Sequence, residues 1–216
     1  MFRVTGERFL RTAWAVARKD FRIEARGKQA LPMAVALSLL VVVVFAFAGE
    51  GPTGSGPLWV AFVFAGTVGV MQSVAVEGEN DAIDGLLLTP IPHSAVFVGK
   101  VLSGTAFVAG IGAVTLFASW FLLGAAPVAS PGVVLGTVLL FAVGFAAAAV
   151  VVSAIAVYTE VTAFVVPVLL VPVLIPALVA GIELLGGGGA NWAVVLGSYD
   201  GIVFLTGLLV FDELLV

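Results

Sequence analysis

Glu77, Glu79, Asp81 and Asp84 form the densest acidic cluster in the chain, within the stretch Glu77-Gly-Glu-Asn-Asp-Ala-Ile-Asp. Oxygen-rich clusters of this kind suit Ca²⁺ or Mg²⁺, but the order of residues misses the D-x-[DN]-x-[DN]-G loop that wraps a calcium ion, so no metal is assigned to them. Gly85, Leu86, Leu87 and Leu88 follow directly and, with Ile83, make an apolar patch. Left in water, such a patch costs about 25 cal/mol per Å² of apolar surface, so something must cover it. Two arrangements do so: a short helix lying flat under a membrane and docking into a soluble partner, or a loop folded back on the protein's own inner surface. His93 closes the segment and is the only histidine. A lone histidine in a polar turn is ordinarily solvated, and no neighbour of His93 builds the pocket a haem ligand needs.

Two further groups of residues could act inside a membrane. Pro167, Pro172 and Pro176 lie in one apolar run. Each proline removes a backbone donor and crowds the preceding turn, so a helix there is expected to kink and bare carbonyls that line transport routes in some membrane proteins. Asp200 sits within another apolar run. An ionised carboxylate at such a depth costs roughly 2.5 to 3.5 kcal/mol on insertion scales, so it must face the helix bundle or water, in a pathway or a packing role. Other catalytic signatures are missing. The chain has no cysteine for a thiolate ligand, nucleophile or disulfide, and no G-x-x-x-x-G-K-[ST], G-x-S-x-G, H-E-x-x-H or dinucleotide fingerprint. It is not an enzyme that hydrolyses ATP by itself.

The elements that must position these residues follow from composition. Of 216 residues 62% are hydrophobic and only 10% charged, against roughly 25% charged in a soluble domain. A soluble enzyme or a nucleic-acid-binding domain cannot be built from this, and the expected fold is an all-α polytopic membrane protein. Charge-free runs at 31–49 and 58–76, two runs between Lys100 and Glu160 divided at Gly124, Pro127, Ser130, Pro131 and Gly132, and runs at 161–185 and 192–211 predict six transmembrane helices. At 1.5 Å per residue each spans the ~30 Å hydrocarbon core. Residues 1–30 form a separate basic segment, and 31–216 the six-helix domain with a polar inner segment at 77–94.

Eight of the nine basic residues precede residue 29. On a helical wheel Leu10, Trp14, Ala17 and Phe21 share one stripe, and Arg8, Arg11, Arg18, Arg22 and Arg26 share another. This pattern predicts an N-terminal amphipathic interfacial helix, anchored by Arg11, Trp14, Arg18, Phe21 and Arg22, with the arginines on lipid phosphates. The positive-inside rule then places the N-terminus in the cytoplasm, and six crossings, the last two resting on hydrophobic length, return the C-terminus to that side of a multi-pass protein of the cell membrane. Trp59, Trp120 and Trp192 fall at the predicted outer ends, where an indole ring is expected to meet the membrane–water interface.

Several segments in this order resemble the haem exporter protein B (CcmB) family of cytochrome c maturation. They are Arg18-Lys-Asp-Phe-Arg-Ile-Glu, Gly56-Pro-Leu-Trp-Val-Ala-Phe, Asp84-Gly-Leu-Leu-Leu-Thr-Pro-Ile-Pro through Gly99-Lys100, and Val166-Pro-Val-Leu-Leu-Val-Pro-Val-Leu-Ile-Pro. The resemblance implies an ABC-2-type permease subunit working with a separate CcmA-like ABC ATPase subunit and with CcmC-like and CcmD-like membrane proteins, a second copy of the chain being a further candidate partner. It implies that Glu77–His93 is a coupling helix under the ATPase, and that haem, or a haem-loaded chaperone, is what the complex handles or releases. Export of another amphipathic substrate and a scaffold that transports nothing are the alternatives.

Overall fold

The computed structural model describes residues 6–27, 30–48, 55–79, 92–124, 129–158 and 165–214. All seven elements among the described residues are α-helices: α1 (Gly6–Gly27), α2 (Ala30–Ala48), α3 (Gly56–Glu79), α4 (His93–Leu123), α5 (Pro131–Tyr158), α6 (Val165–Leu185) and α7 (Asn191–Leu214). Helices are what an apolar chain must form in lipid, because only they satisfy every backbone group within one segment. Five of them, α2 and α4 to α7, are long and apolar enough to cross a membrane. Helix α3 is 24 residues long and apolar from Gly56 to Gly69, and it packs among the five as a sixth member of the bundle.

The boundaries have local causes. Gly124 ends α4 in the left-handed conformation, φ 62°, which a side chain would strain. Pro131 opens α5, a position where its missing N–H has no intrahelical acceptor to disappoint. Helix α6 closes with the N–H of Gly188 donating to the Glu183 carbonyl at 2.7 Å and that of Gly187, φ 89°, donating to Leu184 at 3.4 Å. These two bonds are the paired signature of a Schellman cap.

Contacts between helices set the direction of each crossing. Ala34 clusters with Ala65 and Ile111, while Val42 clusters with Ala61 and Ala118. Moving along α2 therefore moves backwards along α3 and forwards along α4. Phe62 meets Phe141 and Gly66 meets Phe145, so α3 and α5 run the same way. Gly144 meets Asp200, and Val151 lies against Gly207, so α5 and α7 are parallel too. Helices α2 and α4 thus run against α3, α5 and α7, the alternation that successive membrane crossings require. Helix α5 is central, packing on α3, α4, α6 and α7; 61% of its apolar stretch is buried, against 17% for the peripheral α2.

Glycine lets these helices approach. A Cβ at Gly112 would overlap the Phe62 ring, one at Gly181 the Trp59 ring, and one at Gly207 the Phe97 ring. Large rings seated in glycine notches supply the van der Waals contact that holds helices together where lipid removes the hydrophobic drive. Two buried hydroxyls find acceptors inside their own helix, Thr67 donating to the Val63 carbonyl and Thr115 to that of Ile111, both at 2.7 Å.

Trp59 corrects the expectation that it marks an interface. It is only 2% exposed, packed edge-on against Phe141 at 4.8 Å between ring centroids, and its Nε1 donates no hydrogen bond. Trp120 is exposed as expected, at 57%, and Trp192 is half-buried at the start of α7.

Candidate coupling surface and intramembrane acid

Glu77 and Glu79 belong to the last turn of α3 as the helix is bounded, and His93 and Ser94 are the first residues of α4. Asp81, Asp84, Gly85, Leu86, Leu87 and Leu88 lie outside the described residues, between these two helix ends. Helices α3 and α4 pair antiparallel, Gly69 against Phe107 and Phe62 against Gly112, which brings the end of α3 and the start of α4 to one end of the bundle. Pro92 caps α4 with an extended backbone, ψ 123°, so the chain enters the helix abruptly. His93 is partly buried there. Among the described residues no group of three or more His, Asp or Glu side chains is placed to hold a metal ion.

Asp200 is 8% exposed and faces the bundle. Its Oδ1 occupies the notch at Gly144 of α5, where an added Cβ would overlap it, and that oxygen accepts no hydrogen bond from the protein. Tyr199 lies beside it, buried, with a hydroxyl that likewise has no partner. A carboxylate oxygen and a phenol, each without a partner, therefore lie together on α7 against Gly144 of α5. Sequence reasoning found Asp200 and missed Gly144 and Tyr199. Adjacency to the acid was the available signal for Tyr199; nothing local distinguished Gly144 from the chain's other glycines.

The three prolines are not brought together with Asp200. The described part of helix α6 opens at Val165, with Pro167 two residues in, and residues 161–164 lie outside the described residues. Pro172 and Pro176 lie inside the helix, on its exposed face with Val168 and Val179. The opposite face, Val166, Leu170, Leu174, Ala177, Gly181 and Leu184, is the buried one. The carbonyls four residues before each proline, of Val168 and Pro172, lose their helical donors, and they do so on the outside of this chain's bundle.

Helix α1 divides the expected apolar stripe in two. Ala13 and Ala17 are buried against α4, where Gly99 admits the Ala13 carbonyl and Val16. Leu10, Trp14 and Phe21 remain 69%, 67% and 58% exposed. Arg8, Arg11, Arg18 and Arg22 are exposed on the next arc, and Lys19 pairs with Asp20 at 3.3 Å.

These features, a helical bundle with five membrane-spanning candidates and a basic head docked on α4, agree with one protein family. The CcmB protein family profile matches residues 11–214. The chain belongs to the CcmB family. No curated protein and no solved structure matches it. Membership places this CcmB-family chain in a membrane transport system of cytochrome c biogenesis, and the match runs from the arginine arc of α1 to the last turn of α7.

Proposed function

We propose that this chain is the permease subunit of an ABC-2-type transporter in cytochrome c maturation, moved by a separate ATPase subunit and assembled with further Ccm membrane proteins. The observation that supports the reading is that the end of α3 at Glu79 and the start of α4 at His93 lie at one end of the bundle. An ATPase pressing there moves two helices at once. Helix α4 contacts α1, α2, α3, α5 and α7, so displacement at its first turn reaches nearly the whole bundle. Interiors are close-packed and deform by discrete rearrangement rather than by yielding, which is what coupling ATP hydrolysis to cargo release requires. The cargo is haem or a haem-loaded chaperone. The arginines of the first 28 residues favour a cytoplasmic N-terminus, and with it a cytoplasmic Glu77–His93 segment facing the ATPase.

Because the chain has no native cysteine, single cysteines report position cleanly. A cysteine at Leu87 is expected to be labelled from the cytoplasmic side and to crosslink to the ATPase subunit. Replacing Leu87 and Leu88 by Asp is expected to abolish stimulation of ATP hydrolysis in the reconstituted complex while insertion persists. Labelling of Leu87 only from the exterior overturns the reading.

A further inference from the structure

We propose that α1 carries a binding face for the anionic headgroups of phospholipids in the leaflet at the start of α4, made by Arg11, Arg18 and Arg22 beside the apolar edge of Leu10, Trp14 and Phe21. Three observations place it. The first is depth. Helix α4 has 31 residues, about 46 Å of helix for a hydrocarbon core of ~30 Å, so roughly ten residues overhang. Trp120 and Phe121 are exposed near the C-terminal end of α4, as an interfacial aromatic belt is. With that end at one interface, the hydrocarbon on the other side stops near Ser103, and Gly99, where α1 docks, lies at headgroup level.

The second observation is the division of the α1 surface into three sectors. Ala13, Val16, Ala17 and Asp20 meet or approach the bundle and are buried or half-buried. Leu10, Trp14 and Phe21 stand next to them around the helix and remain 58% to 69% exposed. Arg11, Arg18 and Arg22 come next again, fully outward. A helix whose apolar edge lies between the protein and its cations fits a bilayer surface, with the edge dipping below the phosphates and the guanidiniums level with them. A soluble partner would have to cover the arginines while leaving Trp14 and Phe21 to the lipid.

The third is charge. Among the described residues no ion pair engages Arg8, Arg11, Arg18 or Arg22, the one pair on α1 being Lys19 with Asp20. Guanidinium forks match phosphate oxygens in pairs. Arg11 to Arg22 covers about 16 Å along the axis, enough for more than one lipid.

The test uses the full chain in vesicles of equal parts phosphatidylcholine and phosphatidylglycerol, with either lipid spin-labelled, and reads the fraction of each held immobile at the protein. The wild type is expected to hold phosphatidylglycerol severalfold over phosphatidylcholine, and high salt to reduce the ratio toward one. Arg11→Gln/Arg18→Gln/Arg22→Gln is expected to bring it near one at low salt, and the triple Arg→Lys variant to keep most of it. Arg3, Arg8, Lys19, Arg26 and Lys28 remain in both variants to hold the orientation. Absence of preference in the wild type overturns the proposal, and so does a preference that survives salt or the glutamine substitutions. If the glutamine variant fails to insert, the salt series on the wild type decides alone. No ATPase is present, so the result is independent of the transport reading.

Discussion

The carboxylate of Asp200 occupies the space that a Cβ on Gly144 would need. The two residues hold α5 and α7 at close approach, with a polar group in the seam and no donor for its Oδ1. Gly144→Ala is expected to force the carboxylate or the helix aside and to cost about 1 to 3 kcal/mol, the usual penalty for overpacking. In an Asp200→Ala background only the Tyr199 ring, 3.0 Å from an added Cβ, remains in the notch, and the same substitution is expected to cost less. A double-mutant cycle on unfolding in mixed micelles measures the difference, and additive costs show that the two residues are not in contact.

Trp59 leads to the opposite expectation for a conservative change. Its ring fills the notch at Gly181 and packs on Phe62 and Phe141, but its N–H bonds to nothing. Trp59→Phe gives up no hydrogen bond and removes a buried unpaired donor worth about 1 to 3 kcal/mol, which offsets the smaller volume. Stability is expected to change little. Trp59→Ala empties the notch and is expected to cost about 3 to 5 kcal/mol. Thermal unfolding in detergent separates the two, and a Phe variant as unstable as the Ala variant shows that the indole N–H has a partner.

The expected spans agree with the described helices to within a few residues at most of their ends, because hydrocarbon imposes a length of charge-free helix that can be counted. Which side of a helix meets protein and which meets lipid is not written in polarity, since both surroundings are apolar. Ala17 and Trp14 share a stripe on the wheel, yet one packs on α4 and the other faces outward. Side-chain size separates them: Ala13 and Ala17 on α1 and Gly99 on α4 let two backbones meet, and Trp14 does not. Trp59 was misplaced for the same reason, as its height along α3 was legible and its direction was not.

The weakness at the two inner prolines of α6 is measurable. Pro172→Ala and Pro176→Ala each restore a donor to a carbonyl on the outer face of α6. Both are expected to slow amide exchange in the middle of the helix. If ATP-driven movement uses the weakness there, they also lower coupled ATP hydrolysis by a factor on the order of ten, about 1.4 kcal/mol at the coupled step. Exchange as fast as in the wild type in both variants shows that neither proline weakens the helix there.

The seat of α1 rests on a single glycine. A Cβ at Gly99 would stand 2.6 Å from the Ala13 carbonyl oxygen and 2.7 Å from the Val16 Cβ. A backbone oxygen cannot swing away as a side chain can, so Gly99→Val must lift α1 from α4, at a cost of about 1 to 3 kcal/mol. Cleavage of a locally opened segment follows the population of the open form, and each 1.4 kcal/mol is about tenfold in that population. Trypsin cleavage after Arg11 and Arg18 in detergent is therefore expected to accelerate by about one to two orders of magnitude. Gly110→Val on the same helix, where a Cβ meets nothing within 4 Å, is expected to leave the rate as it was. If the two variants are cleaved alike, α1 is held by something other than its contact at Gly99.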